Sequence, residues 1–413
     1  MSGRDEMIVR EIVKDGTSAQ KEAAWIYLRS VSAMAEAELV NVSDIAQRKI
    51  TLAVGRLRSE DLRSYSTSAL LKSVNAILGK MLADAEILAR RLVTANILSG
   101  KVKSLFGSRS KGELLISAIM LTDSDKERIE KIVSDTIRNL KHGASLTLAS
   151  VTAMINKAAV RANMPHPTVQ SSPDGKDKSE KKEEDDAPKQ EPISNEFAGQ
   201  QVEERRASLA IREQIPTESE LMQIRSNPIQ FANSIAAKNV NTVKTLQSEY
   251  KKREQENRSQ LSRLANSGKG ENYARNEVVG MEKEMLENGV SAFTDKGGKR
   301  WSLINYCAMT ARTSSTTSDN TGEIYADEAH DLYYVVPHGG ACPLCSKVQG
   351  KVYSRSGKNP KYPPLASIFN KIDPNGTDDL ENTYLVIHPN CRHKIVKYTE
   401  KKEVRPKMRV RKK

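Results

Sequence analysis

The sequence predicts a mainly α-helical protein that carries a small α+β module towards its C-terminus. Three observations support this. Apolar residues recur every three or four positions over long stretches, which lines one face of a helix. Aromatic residues make up 5% and charged residues 28% of the chain, a balance that suits long helices better than a large enzyme core. Three of the four cysteines and three of the six histidines lie in two short runs, His338-Gly339-Gly340-Ala341-Cys342-Pro343-Leu344-Cys345 and His388-Pro389-Asn390-Cys391-Arg392-His393. The length of 413 residues accommodates two or three domains.

Residues 1–163 read as a helical N-terminal domain. Trp25 and the small residues from Ala33 to Ala37 suggest an early, closely packed helix. From Ser68, the stripe Leu71, Val74, Ile77, Leu78, Met81, Ala85, Leu88 and Leu92 predicts a helix that stops near Ser99-Gly100. Another begins at Thr122-Asp123-Ser124-Asp125, carries Ile129, Ile132, Val133 and Ile137, and is expected to end at His142-Gly143. His142 would then be a solvated residue favouring the helix dipole. These stripes read as core, and the region shows no recognisable chemistry.

Residues 164–195 form a proline-rich tract of mixed charge, with Pro165, Pro167, Pro173, Pro188 and Pro192. This composition predicts a disordered linker between two independently stable halves. Residues 196–289 return to long helices. Asn227-Pro228 is a cap followed by proline at the first helical position. The stripe Ile229, Ala232, Ile235, Ala236, Val240, Val243, Leu246 and Tyr250 then continues towards Leu264. So narrow a stripe suggests a coiled-coil or partner-facing helix and a route to an oligomer. The run Lys251-Lys252-Arg253-Glu254 reads as a solvated face. A shorter helix is expected from Glu271 to Asn288-Gly289.

Residues 290–398 read as the α+β module. Phe293 to Trp301 reads as a short strand and a glycine turn, after which Ser302 can cap a helix bearing Ile304, Ala308 and Ala311. Cys307, on that helix, reads as packing. Leu332 to Val336, Lys351 to Ser354 and Tyr384 to Ile387 are strand candidates, each next to a Cys/His run. Small sheets knuckled by a metal are a common way to stabilise a domain whose own core is small.

Cys342-x-x-Cys345 sets two thiolates on one turn, spaced for a single soft metal ion, and the second run can complete a tetrahedron. The expected ligands are Cys342, Cys345, Cys391 and one of His388 or His393, with His338 ranked behind them. Thiolate and imidazole favour structural Zn²⁺ over magnesium or calcium. The competing readings are a redox pair or inert buried thiols. An open site activating water would make the protein a metal-dependent hydrolase or toxin-like enzyme, with Glu323, Asp327, Glu328 or His330 as acid or base. No strongly spaced acid–base pair stands out for that role. A zinc-ribbon nucleic-acid module is a further alternative, although aromatic residues are not interleaved with the basic ones.

The formal net charge is +13, which points to an acidic partner, nucleic acid first. From Lys394 onward ten Lys and Arg residues face Glu400 and Glu403, so ten minus two gives +8. In the basic tail, 399–413, the expected phosphate contacts are Lys401, Lys402, Arg405, Lys407, Arg409, Arg411, Lys412 and Lys413, made without base readout. Cysteine usage suggests a reducing compartment rather than a disulfide scaffold. The N-terminus carries no apolar core of signal-peptide length, and no apolar run is long enough to predict a membrane span.

The run from Gly289 to Arg392 resembles the phage minor capsid protein 2 family, related to the Mu F-like head morphogenesis proteins. The matching pieces are Phe293 with Asp295-Lys296, Gly298 and Arg300-Trp301, then Met309, Arg312-Thr313 and the run from His338 to Cys345. They continue through Gln349-Gly350, Val352-Tyr353-Ser354, Ser356-Gly357-Lys358, Tyr362-Pro363-Pro364-Leu365 and the run from His388 to His393. The spacer from Ala366 to Thr383 is longer than this pattern leads one to expect. The resemblance implies a component of a phage or prophage virion, inside the head or at the portal, made in the bacterial cytoplasm before assembly. It implies portal and capsid proteins and phage DNA as partners, a part in head assembly and DNA packaging or delivery, and no enzymatic activity.

Overall fold

The computed structural model describes residues 3–55, 67–109, 112–162, 216–266, 293–294 and 298–400. The expected linker at 164–195, the helix from Glu271 and the tail contacts at 401–413 lie outside these. Among the described residues, seven helices precede the module: α1 (Gly3–Ile12), α2 (Ser18–Gly55), α3 (Thr67–Ser104), α4 (Glu113–Ile119), α5 (Asp123–Ala162), α6 (Glu218–Ser226) and α7 (Pro228–Asn266). The module follows with β1 (Phe293–Thr294), β2 (Arg300–Trp301), α8 (Leu303–Tyr325), β3 (Leu332–Val335), α9 (Pro343–Ser346), β4 (Val352–Ser354) and β5 (Ile395–Lys397).

The helix starts follow the capping chemistry. Thr122 and Asp125 satisfy each other's backbone N–H groups at the start of α5, and Thr217 with Glu220 closes a capping box on α6. Asn227 accepts from the Gln230 N–H at 3.0 Å, so Pro228 opens α7 as expected. The side chain of Ser302 caps α8 by accepting from Asn305.

The bundle core runs along α2, α3 and α5, from Leu39, Ile50, Val74, Leu88 and Val93 to Val133 and Val151. A second cluster, around Ile12, Leu28, Leu98, Leu115 and Phe231, joins α1 and α4 to the base of α7. Asp5, fully buried, accepts from both Arg91 (3.0 Å) and Tyr27 (2.6 Å), which ties α1 to α2 and α3. Leaving one member of such a buried pair alone costs about 3–5 kcal/mol.

Five sequence expectations are corrected here. The helix from Ser68 does not stop at Ser99-Gly100, because α3 continues to Ser104. The helix carrying His142 does not stop at Gly143, because α5 continues to Ala162. Both glycines sit under α8. A Cβ on Gly100 would lie 2.5 Å from the Gly322 carbonyl carbon, and one on Gly143 would lie 2.7 Å from the Tyr306 ring. They are positions of close approach rather than termini. The third correction concerns α7, whose stripe packs along α2 of the same chain. Within the supposedly solvated run, Arg253 reaches across to Asp44 (2.8 Å) and Asn41 (2.5 Å) on α2.

Fourth, the two halves of the chain are not independent. Leu303, Cys307 and Ala311 of α8 belong to the bundle core, and α8 packs against α2, α3 and α5. At its crossing with α3, Asn96 donates to Ser318 at 2.9 Å and accepts from Ser32 at 2.6 Å, and Arg29 pairs with Asp319 at 2.5 Å. Cys307 is a core residue, as its place in the sequence suggested, and burial pushes its thiol up to about 12.

The module's sheet is antiparallel with strand order β4-β3-β5, and β1 pairs with β2. Tyr333, Val335, Tyr353, Leu365 and Ile395 form its small core together with Ile324 of α8. The fifth correction is the last strand, which is Ile395–Lys397 rather than Tyr384 to Ile387. Leu385 has φ 50°, which breaks any extended run there, and its carbonyl accepts from Asn320 of α8 instead. The true strand lies among the lysines of the presumed tail: Lys394 and Lys397 point to Asp319 and Asp327 while Ile395 turns into the core.

Candidate metal centre

Two tight turns build the centre. Cys342 is the N-cap of α9, Pro343 occupies the first helical position, and the Cys342 carbonyl accepts from Ser346. One turn of helix carries Cys345 inward, to 2% exposure. In the second run Asn390 has φ 65°, a left-handed conformation that asparagine tolerates better than most residues. That turn closes with the Cys391 N–H on the His388 carbonyl at 3.1 Å and brings His388 and Cys391 to the same side.

α8 holds this second turn from below. The Asn390 N–H donates to Thr313 Oγ1 at 2.9 Å, Thr316 donates to the Cys391 carbonyl at 2.9 Å, and Arg312 donates to the Asn390 side chain. Asn320 donates to the Leu385 carbonyl and accepts from the Ile395 N–H. The polar residues that make α8 unusual for a buried helix thus face the ligand turn on one side and the bundle on the other.

The ligand atoms converge. His388 Nε2 lies 3.3 Å from Cys342 Sγ and 3.1 Å from Cys345 Sγ, Cys345 and Cys391 sulfurs are 3.7 Å apart, and Cys391 Sγ is 3.5 Å from His393 Nδ1. They fall into two triads, Cys342–Cys345–His388 and Cys345–Cys391–His393, each within 4.8 Å, which share Cys345. Metal–sulfur bonds of about 2.3 Å and metal–nitrogen bonds of about 2.0–2.1 Å imply tetrahedral edges of about 3.8 Å between sulfurs and about 3.5 Å between sulfur and nitrogen. The separations found are close to those edges, so the group can hold a metal ion.

Both imidazoles also have a partner on the side away from the sulfurs. His388 Nδ1 lies 2.7 Å from the Pro389 carbonyl and His393 Nε2 lies 3.0 Å from Gln349 Oε1. Each ring can donate its one proton outward and leave the other nitrogen free towards the sulfurs. Gln349 is a positioning residue that ligand spacing could not reveal; it stood out only as part of the family resemblance.

Electrostatics favour a cation here. The Cys342 thiol is pulled down to about 7, chiefly by the Cys345 backbone N–H. Burial, and then the neighbouring Cys391 sulfur, push Cys345 well above the usual thiol range. Burial and the two nearby histidines lower His393, keeping it in the neutral form a ligand needs. A divalent ion would remove the penalty on ionising Cys345.

All five leading candidates meet in this group. His338 stands outside both triads, its ring 5.9 Å from that of His393. The residues considered for acid–base roles also lie outside them. Glu323 pairs with Lys103 at 3.0 Å, Asp327 with Lys397 at 2.9 Å, and His330 contacts the Leu332 carbonyl at 2.8 Å.

The architecture is a helical bundle against which α8 packs, with a small sheet and a Cys/His cluster that could hold a metal ion at its C-terminal side. The family model for phage minor capsid protein 2 matches residues 191–410, which is 220 of 413 positions, and the chain belongs to that family. Searches of curated proteins and of solved structures find no match. Family membership gives the chain a structural role in phage head morphogenesis, a place in the virion and other virion proteins as partners. Among the described residues no helix is long and apolar enough to cross a membrane.

Proposed function

We propose that this chain works inside the phage head at the portal, contributing to head assembly and to DNA packaging or delivery, with Zn²⁺ as a structural ion. The observation that carries the reading is the family match, which spans α7 and the module with its Cys/His centre. Zinc suits a donor set of thiolates and imidazoles with no carboxylate among them. The ion would supply no chemistry beyond cross-linking segments more than forty residues apart. The chain's own residues orient it: Gln349 and the Pro389 carbonyl hold the two imidazoles, and Thr313 and Thr316 hold the turn between them. The basic residues of the tail, Lys401 to Lys413, are proposed to contact DNA phosphates.

The test is particle composition. Purified DNA-filled particles are expected to contain the chain at a fixed copy number, and deletion of its gene to reduce infective, filled heads by about tenfold or more. Particles that lack the chain, with normal yield after deletion, would overturn the reading.

A further inference from the structure

The module's charge is distributed in a way the tail does not account for. From Leu332 to Ile372 there is no Asp or Glu, but there are Lys347, Lys351, Arg355, Lys358, Lys361 and Lys371. Several of the module's cations are committed to structure. Lys361 pairs with Glu400, Lys371 with Asp378, Lys394 with Asp319 and Lys397 with Asp327, and Arg355 donates to the Glu328 carbonyl.

Lys347, Lys351 and Arg392 are different. They are exposed, and among the described residues none forms an ion pair. Lys347 lies two residues beyond Cys345 and Arg392 adjoins Cys391, whose sulfurs are 3.7 Å apart, so the two flank one centre. Lys351 leads into β4, its carbonyl accepting from Val335 at 3.0 Å. Arg312 reaches the same turn through Asn390, where burial and then the nearby charge of Arg392 hold its pKa below the usual range. Even with a centre of three thiolates and one divalent ion, net −1, these four cations leave the rim positive.

We infer that this rim is a phosphate-binding face that takes the backbone of duplex DNA. The choice of DNA over an acidic protein follows from what the rim lacks. Protein hot spots need buried aromatic or large apolar anchors, and among the described residues of the module the exposed large apolar side chains are Val336 and Leu344, neither of them aromatic. Unpaired Lys and Arg around a rigid turn instead suit sequence-independent contact with phosphates. The inference rests on the reading of the chain as a protein that meets DNA, and it adds a second, rigid contact surface to the tail.

The experiment measures binding of the full-length chain to a 30-bp duplex (about three helical turns) by fluorescence anisotropy across a salt series. Lys347→Gln/Lys351→Gln/Arg392→Gln is expected to weaken binding about tenfold or more and to flatten the log–log salt slope by about 0.9 for each phosphate no longer neutralised. Lys347→Gln/Lys351→Gln, which leaves the ligand run untouched, is expected to show a proportionate part of the same change at unaltered metal content. If the wild-type chain binds and both variants match it within about twofold, the rim is not the surface. If the wild-type chain does not bind duplex at low salt, the DNA reading itself fails, and the rim with it. Equal competition by polyglutamate at matched charge would assign the rim to an acidic protein and overturn the inference.

Discussion

Cys345→Ser is expected to abolish metal retention and to loosen the whole segment from Arg300 to Lys397. Cys345 belongs to both triads and is almost completely buried, so its loss breaks the group whichever histidine completes the tetrahedron. Structural zinc contributes on the order of 10 kcal/mol in the smallest domains; here the Tyr333–Ile395 core would retain part of the module's order. The effect should not stop at the sheet. Thr316 bonds the Cys391 carbonyl and Asn320 bonds both Leu385 and Ile395, while the opposite face of α8 is held by Asn96 and the bundle core. Hydrogen exchange should therefore rise in α8 as well as in β3 and β5, with α1 and α2 least affected. His338→Ala, outside the triads, is the matched control and should retain the metal. Exchange confined to residues 338–393 would show that α8 does not couple the centre to the bundle.

Gly100→Ala is expected to destabilise the bundle by about 3 kcal/mol, the upper end for overpacking. The added Cβ would meet the Gly322 backbone at 2.5 Å, and backbone on both sides leaves no flexible side chain to yield. α3 and α8 would have to separate, pulling apart the Asn96–Ser318 and Arg29–Asp319 contacts beside the crossing. Gly79→Ala on the same helix meets nothing within 4 Å and should stabilise by about 0.5–1 kcal/mol through backbone entropy and helix propensity. Opposite signs of the two shifts in denaturant unfolding are the expected result. Two equal and favourable shifts would mean that α8 does not cross α3 at this point.

Gly100 and Gly143 also show where the sequence was hardest to read. Local chemistry placed the helix starts at Asn227-Pro228, Ser302 and Thr122, because a cap is decided by residues three positions apart. The stops at Gly100 and Gly143 were misplaced because the reason for those glycines lies about 160 to 220 residues away, on α8. The ligand cluster was legible as a set, since Cys-x-x-Cys and the His388–His393 run are local patterns. The order among the histidines was not, because it depends on Asn390 taking a left-handed turn and on Gln349 arriving from another loop. β5 was hidden for a third reason. Lys394 and Lys397 made the stretch look like a solvated tail, whereas each has a carboxylate partner on α8 or the turn after it. A truncation meant to remove the tail alone must therefore fall after Glu400.

Metal analysis of the full-length chain, purified under reducing conditions without chelator, tests the centre most directly. The full chain is the proper sample because α8 shares its core with the bundle. About one equivalent of zinc per chain is expected, with a melting transition that falls when a chelator removes the ion. Less than about half an equivalent, with melting unchanged in chelator, would contradict a structural zinc centre.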